Sequence, residues 1–133
     1  MPEFDVDVEP IYVFEIDGTY LFKYFFERKD IFSELSEHYD DEKYRFEVST
    51  ADFDTIRDLL EDNYYEPTIV EDVEAFSVVK EQYTKQADIL RNSVMHWTRD
   101  GYHFFVMQDP LAVDQAVEQG ATRLEDIELV LGI

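Results

Sequence analysis

Residues 11–25 read Ile11-Tyr-Val-Phe-Glu-Ile-Asp17-Gly18-Thr-Tyr-Leu-Phe-Lys-Tyr-Phe25, two aromatic and β-branched runs joined by Asp-Gly. Both positions of a two-residue hairpin turn need positive φ, which Asp-Gly accepts at low cost. The turn sets the register, pairing Ile16 with Thr19 and Phe14 with Leu21. One face then carries Tyr12, Phe14, Ile16, Leu21 and Phe25, and the other Ile11, Val13, Phe22 and Tyr24. With both faces apolar, the hairpin is expected to need cover on two sides, from a helix, the C-terminal segment or another subunit.

The same dipeptide recurs at Asp100-Gly101, between the apolar runs 94–98 and 102–107, and predicts a second hairpin. Between the hairpins, Asp30 is expected to cap a short helix carrying Ile31, Phe32, Leu35 and Tyr39. Residues 43–48 read as a strand with Tyr44, Phe46 and Val48 on one face. Ser49 and Asp52 have capping-box spacing and open a helix with the stripe Phe53, Ile56, Leu60 and Tyr64. Pro67 is expected to close the loop that follows. Residues 73–79 are expected to be a strand, and about 84–93 a helix with Tyr83, Ala87, Leu90 and Val94 on its stripe. Asp109-Pro110 opens and Gly120 closes a last helix, with Leu111, Val113, Ala116 and Val117 as its apolar members. Alternation at Ile127, Leu129, Leu131 and Ile133 predicts a final strand.

The expected class is therefore α+β: a largely antiparallel sheet with two Asp-Gly hairpins and about four helices packed mainly on one face. From residue 43 on, the order resembles a ferredoxin-like unit with an extra helix, an analogy of fold that carries no function. Residues 1–9 read as an acidic lead-in, and residues 10–133 as one domain.

The chain has 133 residues, with 32 Asp and Glu against 11 Lys and Arg, a formal charge of -21. Disorder would need low hydrophobicity as well, yet 45% of residues are hydrophobic and 16% aromatic. The acid is expected to coat a folded surface. Residues 1–44 carry 13 acids and 4 bases, residues 45–89 carry 12 and 4, and residues 90–133 carry 7 and 3. An acidic coat this even, with five lysines, is similar in composition to cytosolic proteins of extremely halophilic archaea. Molar salt shortens the screening length to about 3 Å and removes most of the self-repulsion. The alternative is a DNA mimic, whose acids imitate a phosphate track on one face.

The absence of cysteine excludes disulfides, thiolate metal sites and cysteine nucleophiles. No apolar run is long enough for a membrane span, and no secretory signal opens the chain, so a cytoplasmic setting is expected. Nucleic-acid binding needs clustered cations, and the best group, Lys23, Arg28 and Lys29, is poor.

Few residues suggest chemistry. Pairing around Asp100-Gly101 puts Thr98 opposite His103 and His96 opposite Phe105. His96 and His103 then share a sheet face, diagonal and within reach of each other. A carboxylate joining them would make a metal site; a half-exposed polar sheet face is the plainer reading. Trp97, Arg99, Tyr102 and Phe104 lie on the opposite face, either as a stacking platform for a ring or as core covered by Arg99. Adjacent acids such as Asp40-Asp41 are expected by chance at this composition. The chain has neither a Gly-x-Ser-x-Gly motif nor a phosphate-cradling glycine loop.

The expected function is a small non-catalytic binding or interaction module, with a homodimer or protein partner meeting an aromatic sheet face. No catalytic residue, metal or cofactor is assigned. The alternatives are a ligand-binding domain or small enzyme with a pocket near His96, Arg99 and His103, and the DNA mimic. The candidate binding residues are His96, Trp97, Arg99, Tyr102 and His103.

Overall fold

Both Asp-Gly dipeptides form the turns their chemistry requires, with φ of 51° and 79° at Asp17 and Gly18 and 53° and 81° at Asp100 and Gly101. The computed structural model describes residues 8–128. In it, Glu9–Ile16 (β1) and Thr19–Phe22 (β2) pair antiparallel with Ile16 opposite Thr19 and Phe14 opposite Leu21. Ser93–Arg99 (β7) and Tyr102–Met107 (β8) pair with His96 opposite Phe105 and Thr98 opposite His103.

The other strands are Tyr39–Asp40 (β3), Arg45–Ser49 (β4), Tyr65–Ile69 (β5), Ser77–Glu81 (β6) and Thr122–Arg123 (β9). The helices are Lys29–Leu35 (α1), Thr50–Asp62 (α2), Ala87–Arg91 (α3) and Pro110–Glu118 (α4). The chain is α+β, and its strands divide into two sheets, ordered β3-β4-β2-β1-β5 and β7-β8-β6-β9. In the second, β6-α3-β7-β8-α4-β9 has the strand order and antiparallel pairings of a ferredoxin-like unit, starting at residue 77 rather than 43.

The hydrophobic clusters define four layers. Ile31 and Leu35 of α1 and Phe53, Ile56 and Leu60 of α2 pack on Ile11, Val13, Phe22, Phe46 and Val48 of the first sheet. Phe14 and Leu21 on its other face meet Val94 and Val106 of the second sheet, with Tyr12, Ile16, Phe76 and Trp97 around them. Val78, Phe105 and Met107 on the far face of that sheet are covered by Ile89, Ala112, Val113 and Ala116 from α3 and α4. Each sheet thus has helices on one face and the other sheet on its other face, and the first hairpin is covered on both sides within the chain.

Several local readings are corrected. Lys29–Leu35 starts before Asp30, which lies in the first turn and pairs with Arg28 rather than capping the helix. The Ser49 hydroxyl meets the Asp52 carboxylate at 3.2 Å and caps no backbone N–H. Pro67 sits inside β5, an edge strand parallel to β1, where a missing N–H is tolerated. Val73–Phe76 is a 3-10 turn that aims Phe76 at Tyr12 and Phe14, so strand geometry begins only at Ser77. The predicted helix 84–93 shrinks to α3; Tyr83 is exposed at φ 70°, and Val94 belongs to β7. The Asp109 carboxylate does cap α4, accepting the Ala112 N–H at 2.7 Å, but its inner face is Ala112, Val113 and Ala116, with Leu111 and Val117 outside. Among the described residues after α4 stand the short β9 and a 3-10 turn at Leu124–Asp126, and Leu129, Leu131 and Ile133 of the predicted strand lie outside the described residues.

Among the described residues no Asp or Glu is buried. Exposed acids stand on both outer layers, such as Asp54 and Asp58 on α2 and Asp114 and Glu118 on α4. None of the described helices is long and apolar enough to cross a membrane.

Candidate functional site

Phe22 is the last residue of β2 and pairs with Phe46, next to the start of β4. Residues 23–26 leave the ladder, and Phe26 turns into the core while Phe25 is left 84% exposed. On β4 the strand predicted from residue 43 begins only at Arg45, because Tyr44 takes φ 55°. A left-handed tyrosine is uncommon, although Tyr64 and Tyr83, away from this region, adopt it as well at φ 68° and 70°. Tyr44 is 62% exposed as a result.

These two irregular segments face α3 and the open edge of β7 across a cleft of about 1050 Å³. Lys23, Phe25, Lys43, Tyr44 and Arg45 line one side, and Leu90, Arg91, Met95 and His96 the other. Four cations line this space against one carboxylate, Glu42. Phe25, Tyr44 and Leu90 are all exposed there, so large apolar side chains stand beside the cations.

Two hydrogen bonds tie the sides together. The Lys23 ammonium donates to the Arg91 carbonyl at 2.9 Å. Arg45 donates to the Val94 carbonyl at 2.8 Å and to the Glu47 carboxylate at 2.9 Å. Burial, and secondarily the Arg45 guanidinium, pull the Lys23 ammonium down to about 8. Burial likewise pushes the Tyr39 phenol up.

The five residues singled out from sequence do not share one pocket. His96 Nε2 and His103 Nδ1 meet at 2.8 Å, so one ring donates to the other, and His96 stacks on Phe105 at 4.8 Å between centroids. Burial, then the neighbouring His103, lower the His96 imidazolium below its usual range. Among the described residues no group of three His, Asp or Glu stands close enough to hold a metal. On the opposite face Trp97 stacks on Phe104 at 5.5 Å, and the Arg99 guanidinium lies 4.6 Å over the Phe104 ring and 3.4 Å from Asp100. Phe104 is wholly buried, and Trp97 packs against the cluster between the sheets and against the one formed by Val79, Phe104 and Leu124. Tyr102 borders a separate depression of about 220 Å³ beside Val79 and Thr122. Of the five, His96 is the one that lines the large cleft.

Sequence reading missed Lys43, Tyr44, Arg45 and Arg91, and grouped Lys23 with Arg28 and Lys29. Arg28 in fact reaches Asp30 and Asn63, at 3.3 and 2.9 Å. The available signal was Lys43-Tyr44-Arg45, two cations flanking an aromatic ring in a strongly acidic chain. No family model, curated protein or solved structure matches this chain.

Proposed function

We propose that the protein is a non-catalytic binding module of a high-salt cytoplasm, and that its cleft takes a small anionic ligand with an apolar or aromatic body. One observation carries this reading: four of eleven Lys and Arg residues line one cleft in a chain with 32 acids. Carboxylates elsewhere on the surface offer an anion no donor, whereas this cleft gathers four cationic ones. The exposed Phe25 and Tyr44 supply ring surface, and Lys43, Arg45 and Arg91 supply charge. His96, a ligand residue in the sequence reading, sits at the cleft wall.

A partner on an aromatic sheet face has less support, because Phe14, Phe22, Phe104 and Phe105 are buried within the chain itself. The DNA-mimic reading is weakened by acids on both outer layers.

The test is fluorescence titration with anilinonaphthalene sulfonate, an aromatic anion, in molar KCl. One saturable site is expected. The double variant Lys43→Glu, Arg91→Glu should weaken it about tenfold or more, since it removes two charge-assisted contacts with the bound anion, each worth about 1.5–3 kcal/mol, and direct contacts persist where salt screens longer-range attraction. Lys85→Glu, outside the cleft, should leave it unchanged. Equal affinity in all three proteins would reject the reading. Absent binding together with a native mass above one chain would favour the protein-partner alternative.

A further inference from the structure

Lys80 also donates to backbone carbonyls but lies outside the large cleft, and Lys43 lines the cleft but is exposed, which leaves Lys23 as the lysine half-buried within it. It lies at the break where β2 ends, half-buried inside the cleft, and spans it to reach the Arg91 carbonyl at 2.9 Å. A carbonyl acceptor orients Nζ without supplying the carboxylate that would hold it as a fixed ammonium. The charged side chains lining the cleft around it are Lys43, Arg45, Arg91 and Glu42, predominantly cationic, with His96 and the Tyr24, Tyr39 and Tyr44 phenols as the other titratable groups. A half-buried amine beside other cations is the environment in which a lysine acts as a nucleophile.

We infer that Lys23 holds the ligand through a reversible covalent bond, its amine condensing with an aldehyde or ketone carbonyl carried by the anion. The nitrogen lone pair attacks the carbonyl carbon, a C=N bond forms, and the carbonyl oxygen leaves as water with the two protons from nitrogen. No oxidant or reductant is consumed. Lys43, Arg45 and Arg91 hold the ligand's negative charge, and the Lys23 amine meets its carbonyl. The lowered ammonium pKa, about 8, supplies the free amine near neutral pH. This inference rests on the cleft being the anion site.

The experiment treats the whole protein in molar KCl with pyridoxal phosphate, an anionic aromatic aldehyde, and fixes any imine with cyanoborohydride. Peptide mass mapping then gives a rate for each lysine. Lys23 should be labelled at least about ten times faster than Lys29, Lys80 and Lys85, reflecting its larger free-amine fraction. Lys23→Arg should lose the fast adduct, whereas Lys29→Arg, outside the cleft, should keep it and bind anilinonaphthalene sulfonate as the wild type does. Fast labelling of Lys43 in place of Lys23 would overturn the role of Lys23 and leave the anion cleft standing. Even labelling of all five lysines would overturn both.

Discussion

Replacing Arg45 with Met tests whether the two sheets are joined at the cleft as described. Its side chain is 14% exposed and donates to Val94, on the open edge of the second sheet, and to Glu47 on its own strand. Met keeps most of the apolar stem, so the loss is chiefly polar. A hydrogen bond from a charged donor contributes about 1.5–3 kcal/mol. The Glu47 pair, partly solvated, adds at most about 1 kcal/mol. The expected loss is therefore about 1.5–4 kcal/mol, with Glu47→Gln costing less than about 1 kcal/mol. Urea denaturation followed by circular dichroism is the assay, with KCl fixed in the molar range so that screening stays constant. The urea midpoint should fall with an unchanged slope. A second readout is Lys23, whose ammonium pKa should rise when the Arg45 charge is removed. A loss below about 0.5 kcal/mol, the ordinary range of a surface change, would refute the joint. So would equal losses in Arg45→Met and Glu47→Gln, which would assign the effect to the ion pair alone.

Melting temperature should rise strongly as KCl goes from about 0.1 M to above about 1 M, because screening removes repulsion among the surface acids; a flat profile by differential scanning fluorimetry would contradict the acid-coat argument. The lowered His96 pKa means the folded state binds fewer protons than the unfolded one, so its contribution favours folding at higher pH and turns against it below about 6.5. Between pH of about 7.5 and about 5.5 the wild type should therefore lose more stability than His96→Gln, and identical slopes would count against the buried histidine pair.

The hairpins were legible because Asp-Gly chemistry is local: two residues fix the turn, the turn fixes the register, and the register fixes which side chains share a face. That reach extended to the meeting of His96 and His103. It did not extend to β5, which pairs Pro67 with Ile11 across a long stretch of chain and shows no alternation. Tyr44 was placed on a strand because an aromatic residue favours one, whereas its positive φ depends on surroundings a short window does not contain. The covering of both hairpin faces was undetermined for the same reason, since the second sheet that covers Phe14 and Leu21 is built from residues beyond 76. The cleft was the least legible feature. Lys23, Lys43, Arg45 and Arg91 come from different elements, and only the stacking of the sheets brings them to one space.

The most direct test of the anion cleft is an amide chemical-shift titration with anilinonaphthalene sulfonate in molar KCl. Shifts should saturate together at residues 23–25, 43–45 and 90–96, with the outer faces of α2 and α4 unmoved. Shifts scattered over the surface, or centred on another region, would contradict it.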